Sequence, residues 1–241
     1  MKFSKRRNLS KFYKINKICI IFLLTSMLSA CVYNIDLRKL NQESKNYCPE
    51  NMMYVNKDSF MMGSNNLSDE SPIHEVSLEP YCIDKYEYPN NYGKKPEVGL
   101  SFFKAQELCI SEGKRLCTEA EWELACRGPD NNNYPWGNQK DISKCYIGKI
   151  DDHRSGTYDY CFSGFGVFDM SGGVWEWTSD WYASYPGKVN EFDEIGMKKV
   201  LRGGFWLSSF DSAKCSSRFP LEPETENIPT IGARCCKSVE K

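Results

Sequence analysis

The chain has 241 residues, with 31 basic and 32 acidic side chains and a net charge of −1. Its two histidines exclude a two- or three-histidine metal centre on helical spacing and leave little for serine–histidine–aspartate chemistry. Seven of the basic residues fall in positions 1–30 without one acid, so the rest carries 24 basic against 32 acidic residues, about −8, which argues against nucleic acid or anionic lipid as an electrostatic partner.

Residues 1–30 have the layout of a secretion signal: Lys2, Lys5, Arg6, Arg7, Lys11, Lys14 and Lys17 precede the apolar run from Ile18 to Leu24. That stretch is roughly ten residues, short of the ~20 a helix needs to cross a bilayer. The following Leu28-Ser29-Ala30-Cys31 resembles a lipobox, which predicts cleavage before Cys31 and lipid on its thiol; plain cleavage after a small residue is the alternative. Acyl chains contribute about 0.8 kcal/mol per buried methylene, so several of them anchor a domain without a protein span. Val32, where an aspartate would favour inner-membrane retention, leaves an outer-membrane address open. Residues 31–50 are thus expected to be the lipidated cysteine and a polar, aperiodic tether, and residues 51–241 a single domain outside the membrane.

Within that domain, Met52–Val55 and Phe60–Met62 are short apolar runs separated by Asn56-Lys57-Asp58, the composition of a hairpin. Val76 to Ile83 alternates as one strand. Ser101 caps an amphipathic helix over residues 102–111, apolar at Phe102, Ala105, Leu108 and Cys109 and closed by Gly113. Thr118 and Glu121 form a capping box ahead of Trp122, Leu124 and Ala125, and Gly128-Pro129 stops that second helix. From Gly128 to Lys199 the chain is rich in Gly, Asn, Asp, Tyr and Trp and has little periodicity. Its aromatic residues, among them Tyr134, Trp136, Phe168, Trp175, Trp177 and Trp181, carry too much apolar area to stay solvated, so this stretch reads as ordered but irregular.

Of twelve cysteines, Cys19 lies in the leader and Cys31 is assigned to lipid. The ten others, in an oxidising compartment, are most simply five disulfides; thiolate ligation of zinc is disfavoured because no C-x-x-C pair occurs.

The residues then add up to a family. The runs Gly113-Lys114-Arg115-Leu116-Cys117-Thr118-Glu119-Ala120-Glu121-Trp122-Glu123, Tyr134-Pro135-Trp136-Gly137 and Gly166 through Trp181, with Asp169-Met170-Ser171-Gly172-Gly173-Val174-Trp175-Glu176-Trp177 at its centre, resemble the formylglycine-generating enzyme (sulfatase-modifying factor) family. Arg202-Gly203-Gly204-Phe205-Trp206 and Ile231-Gly232-Ala233-Arg234-Cys235 follow in the same order, with Ala233 where the family usually has Phe. The resemblance implies an α+β fold, the formylglycine-generating-enzyme variant of the C-type lectin-like fold: small antiparallel sheets, few helices and much irregular chain. It also implies two disulfides, Cys109 with Cys235 and Cys126 with Cys215. Cys145 with Cys161 is a guess from proximity, and the pairing of Cys48, Cys82, Cys117 and Cys236 stays open.

The family binds calcium, which by position would take carboxylates from Asp169 and Glu176 and carbonyls from Gly172 and Val174, an oxygen set that suits a hard cation. The competing reading makes Asp169 and Glu176 surface acids or partners of a buried arginine. A second family calcium site lies near residues 145–159, where Asp151, Asp152 and Asp159 are candidates without matching spacing.

The family's chemistry departs from this chain at one place. Two cysteines five apart, after the Gly-Gly of the closing motif, bind Cu(I), which activates oxygen to convert a peptide cysteine to formylglycine. Here Ser208 stands at the first position, and Cys215 is matched to a structural disulfide. A hydroxyl does not replace a thiolate for a soft ion, so copper is not expected and no residue is assigned a catalytic role. The iron-dependent sulfoxide-synthase branch is excluded too, for want of histidines. The expectation is a lipid-anchored envelope protein with a non-catalytic binding or structural module for a protein, peptide or glycan. The alternative is a divergent oxidoreductase of the formylglycine-generating type acting on a peptide or protein. The old substrate groove would be lined by Trp206, Ser208, Ser209 and Arg218, near Trp136 and Trp177, with Trp122, Trp175 and Trp177 themselves packed in the core.

Overall fold

The computed structural model describes residues 36–141, 143–149, 152–188 and 196–239. All of them belong to one compact unit, residues 35–241. The expected leader and Cys31 lie outside the described residues.

The chain runs α1 (Leu37–Tyr47), β1 (Met52–Val55), β2 (Ser59–Met62), a short 3-10 turn at Ser68–Glu70, β3 (His74–Ser77), β4 (Tyr81–Asp84), α2 (Phe102–Ser111), β5 (Arg115–Leu116) and α3 (Glu119–Arg127). After a long irregular passage come β6 (Trp175–Trp181), β7 (Lys199–Arg202), β8 (Arg218–Leu221), β9 (Ile231–Ala233) and β10 (Cys235–Ser238). The architecture is α+β, with few helices and small, mostly antiparallel sheets. One sheet has the order β1-β4-β10-β5, a second β8-β7-β6-β9, and β2 pairs with β3 alone. Strands β6 and β9 are parallel, aligning Trp175 with Ile231 and Trp177 with Ala233.

The two central helices follow their local signals. Ser101 accepts from Lys104 N at the start of α2, whose buried residues are Phe102, Ala105 and Cys109. At α3 both halves of the capping box form: Thr118 Oγ1 accepts from Glu121 N, and Glu121 Oε2 accepts from Thr118 N at 2.8 Å. That helix is buried along nearly its whole length, including Glu119, Glu121, Glu123 and Arg127, so its ionised groups must find partners inside the protein.

Three local expectations are corrected. Part of the stretch read as a tether, Leu37–Tyr47, is helix α1, whose Leu40 packs against the core and whose Ser44 Oγ accepts from Tyr54 N. The segments read as one hairpin join different sheets: β1 pairs with β4 and β2 with β3. The stretch read as one strand from Val76 to Ile83 is broken between Ser77 and Tyr81, where Pro80 has no N–H for a ladder and Leu78 N donates instead to the carbonyl of Asp58.

The five disulfides are Cys48–Cys82, Cys109–Cys235, Cys117–Cys236, Cys126–Cys215 and Cys145–Cys161. All the cysteines of the described residues are used. Two of these bridges clamp the neighbours Cys235 and Cys236 of β10, one to α2 and the other just ahead of α3. The core falls into a cluster around Trp122, Ile83 and Met170, another around Trp177, Leu201 and Ile231, and a smaller one of Cys145, Ile147, Cys161 and Ala213. Trp122 and Trp177 are fully buried, whereas Trp175 is half-exposed and lies 5.6 Å, ring to ring, from Phe219. From Pro129 to Val174 the described residues contain no helix or strand. Yet Tyr134, Tyr146, Ile147, Phe165 and Phe168 of that passage are buried, which accounts for its order.

Candidate functional site

The loop after β7 is where family chemistry would reside. Gly203 and Gly204 both have positive φ, 95° and 74°. A Cβ on Gly204 would sit 2.9 Å from Ser208 Oγ, so the glycine lets the loop fold back tightly. Ser208 Oγ accepts from Phe205 N at 2.8 Å and is buried, and the neighbouring Ser209 is exposed and bonded to Ser212. Cys215 is joined to Cys126. The loop therefore offers no thiol pair, and Cu(I) does not fit the residues present.

The expected groove residues separate. Trp206 is half-exposed and held by its backbone, its N–H donating to Gly173 O and its carbonyl accepting from Gly148 N. Trp136 is also half-exposed and stacks on the buried Tyr134 at 4.9 Å. Arg218 is not an open anchor. Its Nε and Nη2 donate to both carboxylate oxygens of Glu119 at 2.7 and 2.9 Å, and Nη1 donates to the carbonyls of Asp69 and Ala183. Ser208 and Arg218 are thus spent on the loop and on α3, and Trp177 donates from the core to Leu100 O. Trp206 and Ser209 remain at the surface, beside the exposed Leu207.

Beneath this loop lies a charge network. Glu123 Oε1 accepts from Gly63 N and Arg127 Nε, while Oε2 accepts from Arg202 Nη2 at 2.5 Å. Burial alone would raise the Glu123 carboxyl, but the guanidinium groups of Arg202 and Arg127 outweigh it and hold it below the ordinary carboxylate value.

The set expected for calcium is divided as well. Glu176 gives both oxygens to Arg234, at 2.6 and 2.7 Å, and one of them also accepts from Trp122 Nε1. It is the partner of a buried arginine. With those lone pairs engaged, the four residues do not fit a shared oxygen cage. Of the other calcium candidates, Asp152 is exposed and paired with Lys95 and Arg154, Asp159 is exposed, and Asp151 lies outside the described residues.

Asp169 faces a different pair of groups. It holds a left-handed φ of 59°, its N–H donates to Cys161 O, and its Oδ2 accepts from Gly156 N. Next to it are Glu87, which follows β4, and His153, from the irregular passage; one ligand atom from each of the three lies within 4.8 Å of the others. His153 Nε2 is 2.8 Å from Glu87 Oε1, and the ring of Tyr146 covers His153 at 4.8 Å. Burial, reinforced by the charge of Glu87, pushes the Asp169 carboxyl up to about 8. Burial would also raise Glu87, but His153 outweighs it and keeps the carboxyl low; burial opposes the charged form of His153, and Glu87 outweighs that and raises it. Neither Glu87 nor His153 stood out as a site residue in the sequence. They are 66 positions apart, and only the folded chain brings them together.

The model of the sulfatase-modifying factor enzyme 1-like domain matches residues 88–239. The chain is similar to the serine/threonine-protein kinase pkn1 of Chlamydia caviae, 28% identical over 238 residues that cover 78% of this chain and 38% of that protein. It is also similar to the formylglycine-generating enzyme of Mus musculus, 31% identical over 162 residues, 58% of this chain and 43% of that one. The chain thus spans less than half the length of these two relatives. Among solved structures, PvdO from Pseudomonas aeruginosa superposes with a TM-score of 0.66 at 21% identity, covering 80% of this chain and 95% of its own. The chain belongs to the sulfatase-modifying factor enzyme 1-like family, on that family's variant of the C-type lectin-like fold.

Proposed function

We propose that the protein is a lipid-anchored component of the cell envelope whose domain is a non-catalytic binding or structural module. The observation that carries this reading is the engagement of Cys215 with Cys126 while Ser208 stands at the other expected copper position. Oxygen activation on Cu(I) needs two free thiolates, and this loop supplies none. The same loop presents Trp206 and Leu207 to solvent, and half-exposed tryptophans are frequent anchors for peptides, proteins or glycans. The leader and the lipobox-like segment ending at Cys31 support export and lipidation. Among the described residues no helix is long and apolar enough to cross a membrane.

The test is incubation of the purified domain with Cu(I) and a cysteine-containing peptide of the kind sulfatases carry. The expected outcome is no stoichiometric copper and no change in peptide mass. Conversion of the peptide cysteine to an aldehyde would replace this reading with that of a divergent oxidoreductase.

A further inference from the structure

From the convergence of Glu87, His153 and Asp169 we infer a buried site for a divalent first-row transition cation of the Zn2+, Mn2+ or Fe2+ class, bound by one nitrogen and two carboxylate oxygens. The inference is independent of the proposed function, because it concerns neither the loop after β7 nor the lipid anchor.

Geometry comes first. The three donor atoms lie within 4.8 Å of one another, and His153 Nε2 and Glu87 Oε1 are 2.8 Å apart. Donors at zinc distances of about 2.0–2.2 Å stand about 3 Å from their neighbours in the coordination shell, so little movement closes this cluster on an ion. Space for it is kept by Gly173, where a Cβ would fall 2.8 Å from His153 Nε2 and 2.9 Å from Glu87 Oε1.

A second observation is the bonding left unmade. Asp169 is 2% exposed, yet its Oδ1 has no hydrogen-bond partner. Buried polar atoms are almost always satisfied, and an orphaned carboxylate oxygen beside two other donors marks an absent partner. Charge points the same way. The nearby cation Arg234 is already bidentate with Glu176 and also donates to Phe168 O, so two carboxylates share one imidazole. An imidazole within the set selects against calcium, which takes six to eight oxygens, and favours a borderline ion. The ion would join the segment after β4 to two points of the strandless passage between Pro129 and Val174, adding to the backbone bond from Phe168 N to Lys85 O.

The disulfide-oxidised protein, stripped with chelator and reloaded, provides the test. One Zn2+ per chain is expected by elemental analysis, together with a raised thermal midpoint that Ca2+ does not reproduce. His153→Gln and Asp169→Asn should each weaken Zn2+ binding at least about 100-fold, since even outer-shell changes cost 10–100-fold. Should these variants fail to fold, Co2+ in the unaltered protein decides: a paramagnetically shifted ring proton from His153, one of only two histidines, is expected. Failure of the unaltered protein to take up Zn2+ or Co2+ overturns the proposal. So does a Co2+ complex without a shifted imidazole, or binding that survives His153→Gln.

Discussion

Glu123 shows what a single side chain must do once a helix is buried on nearly every face. Its two oxygens neutralise Arg127 and Arg202 where all three side chains are buried, so a neutral replacement leaves guanidinium charge uncompensated. Glu123→Gln is expected to cost about 3–5 kcal/mol in chemical denaturation, the usual consequence of breaking a buried pair. Its pH dependence has a definite sign. The carboxyl is held below its ordinary value of 4.5 in the folded protein, so its stabilisation is fully present above pH 4.5 and lost as pH falls through the lower folded value. Thermal midpoints measured from pH 7 downward should therefore converge for the unaltered protein and Glu123→Gln below pH 4.5. A constant gap between them would mean that the carboxyl charge is not what stabilises. Glu176 carries the parallel lesson for reading motifs: a carboxylate in a ligand-like position can be spent on an arginine, here Arg234 between β9 and β10.

At the scale of elements, the segments whose signals are local behave as read. The capping box of α3 needs only Thr118 and Glu121, three residues apart, so Thr118→Ala should destabilise by about 1 kcal/mol, and Thr118→Ser should restore most of it in the same denaturation experiment. Helix α2 likewise follows the spacing of Phe102, Ala105 and Cys109. The misreadings share a different cause. Whether Met52–Val55 pairs with Ser59–Met62 or with Tyr81–Asp84 depends on which partner the rest of the sheet supplies, and β4 lies between β1 and β10, a strand from the far end of the chain. Helix α1 escaped notice because its sequence is polar; Leu40 against the core, and the Cys48–Cys82 bridge just beyond its end, tie it to the domain.

For the whole molecule, the five disulfides suit the export and lipid anchoring proposed above, because such bridges persist in an oxidising compartment. Cys31→Ser in the full-length protein is expected to abolish incorporation of labelled fatty acid and to move the protein from the membrane fraction to the soluble one; retention in the membrane without label would remove the lipid anchor from the proposed function. The sequence by itself determined the family, the α+β class, the capped helices and the lack of a copper-type thiol pair, because motif order, capping and cysteine spacing are carried by residues close together in the chain. Only the tertiary structure decided which strands pair, that Arg218 and Glu176 are consumed inside the protein, and that Glu87, His153 and Asp169 meet. Those outcomes depend on burial and on contacts between segments dozens of residues apart, where a side chain's role is set by the partner the fold places against it.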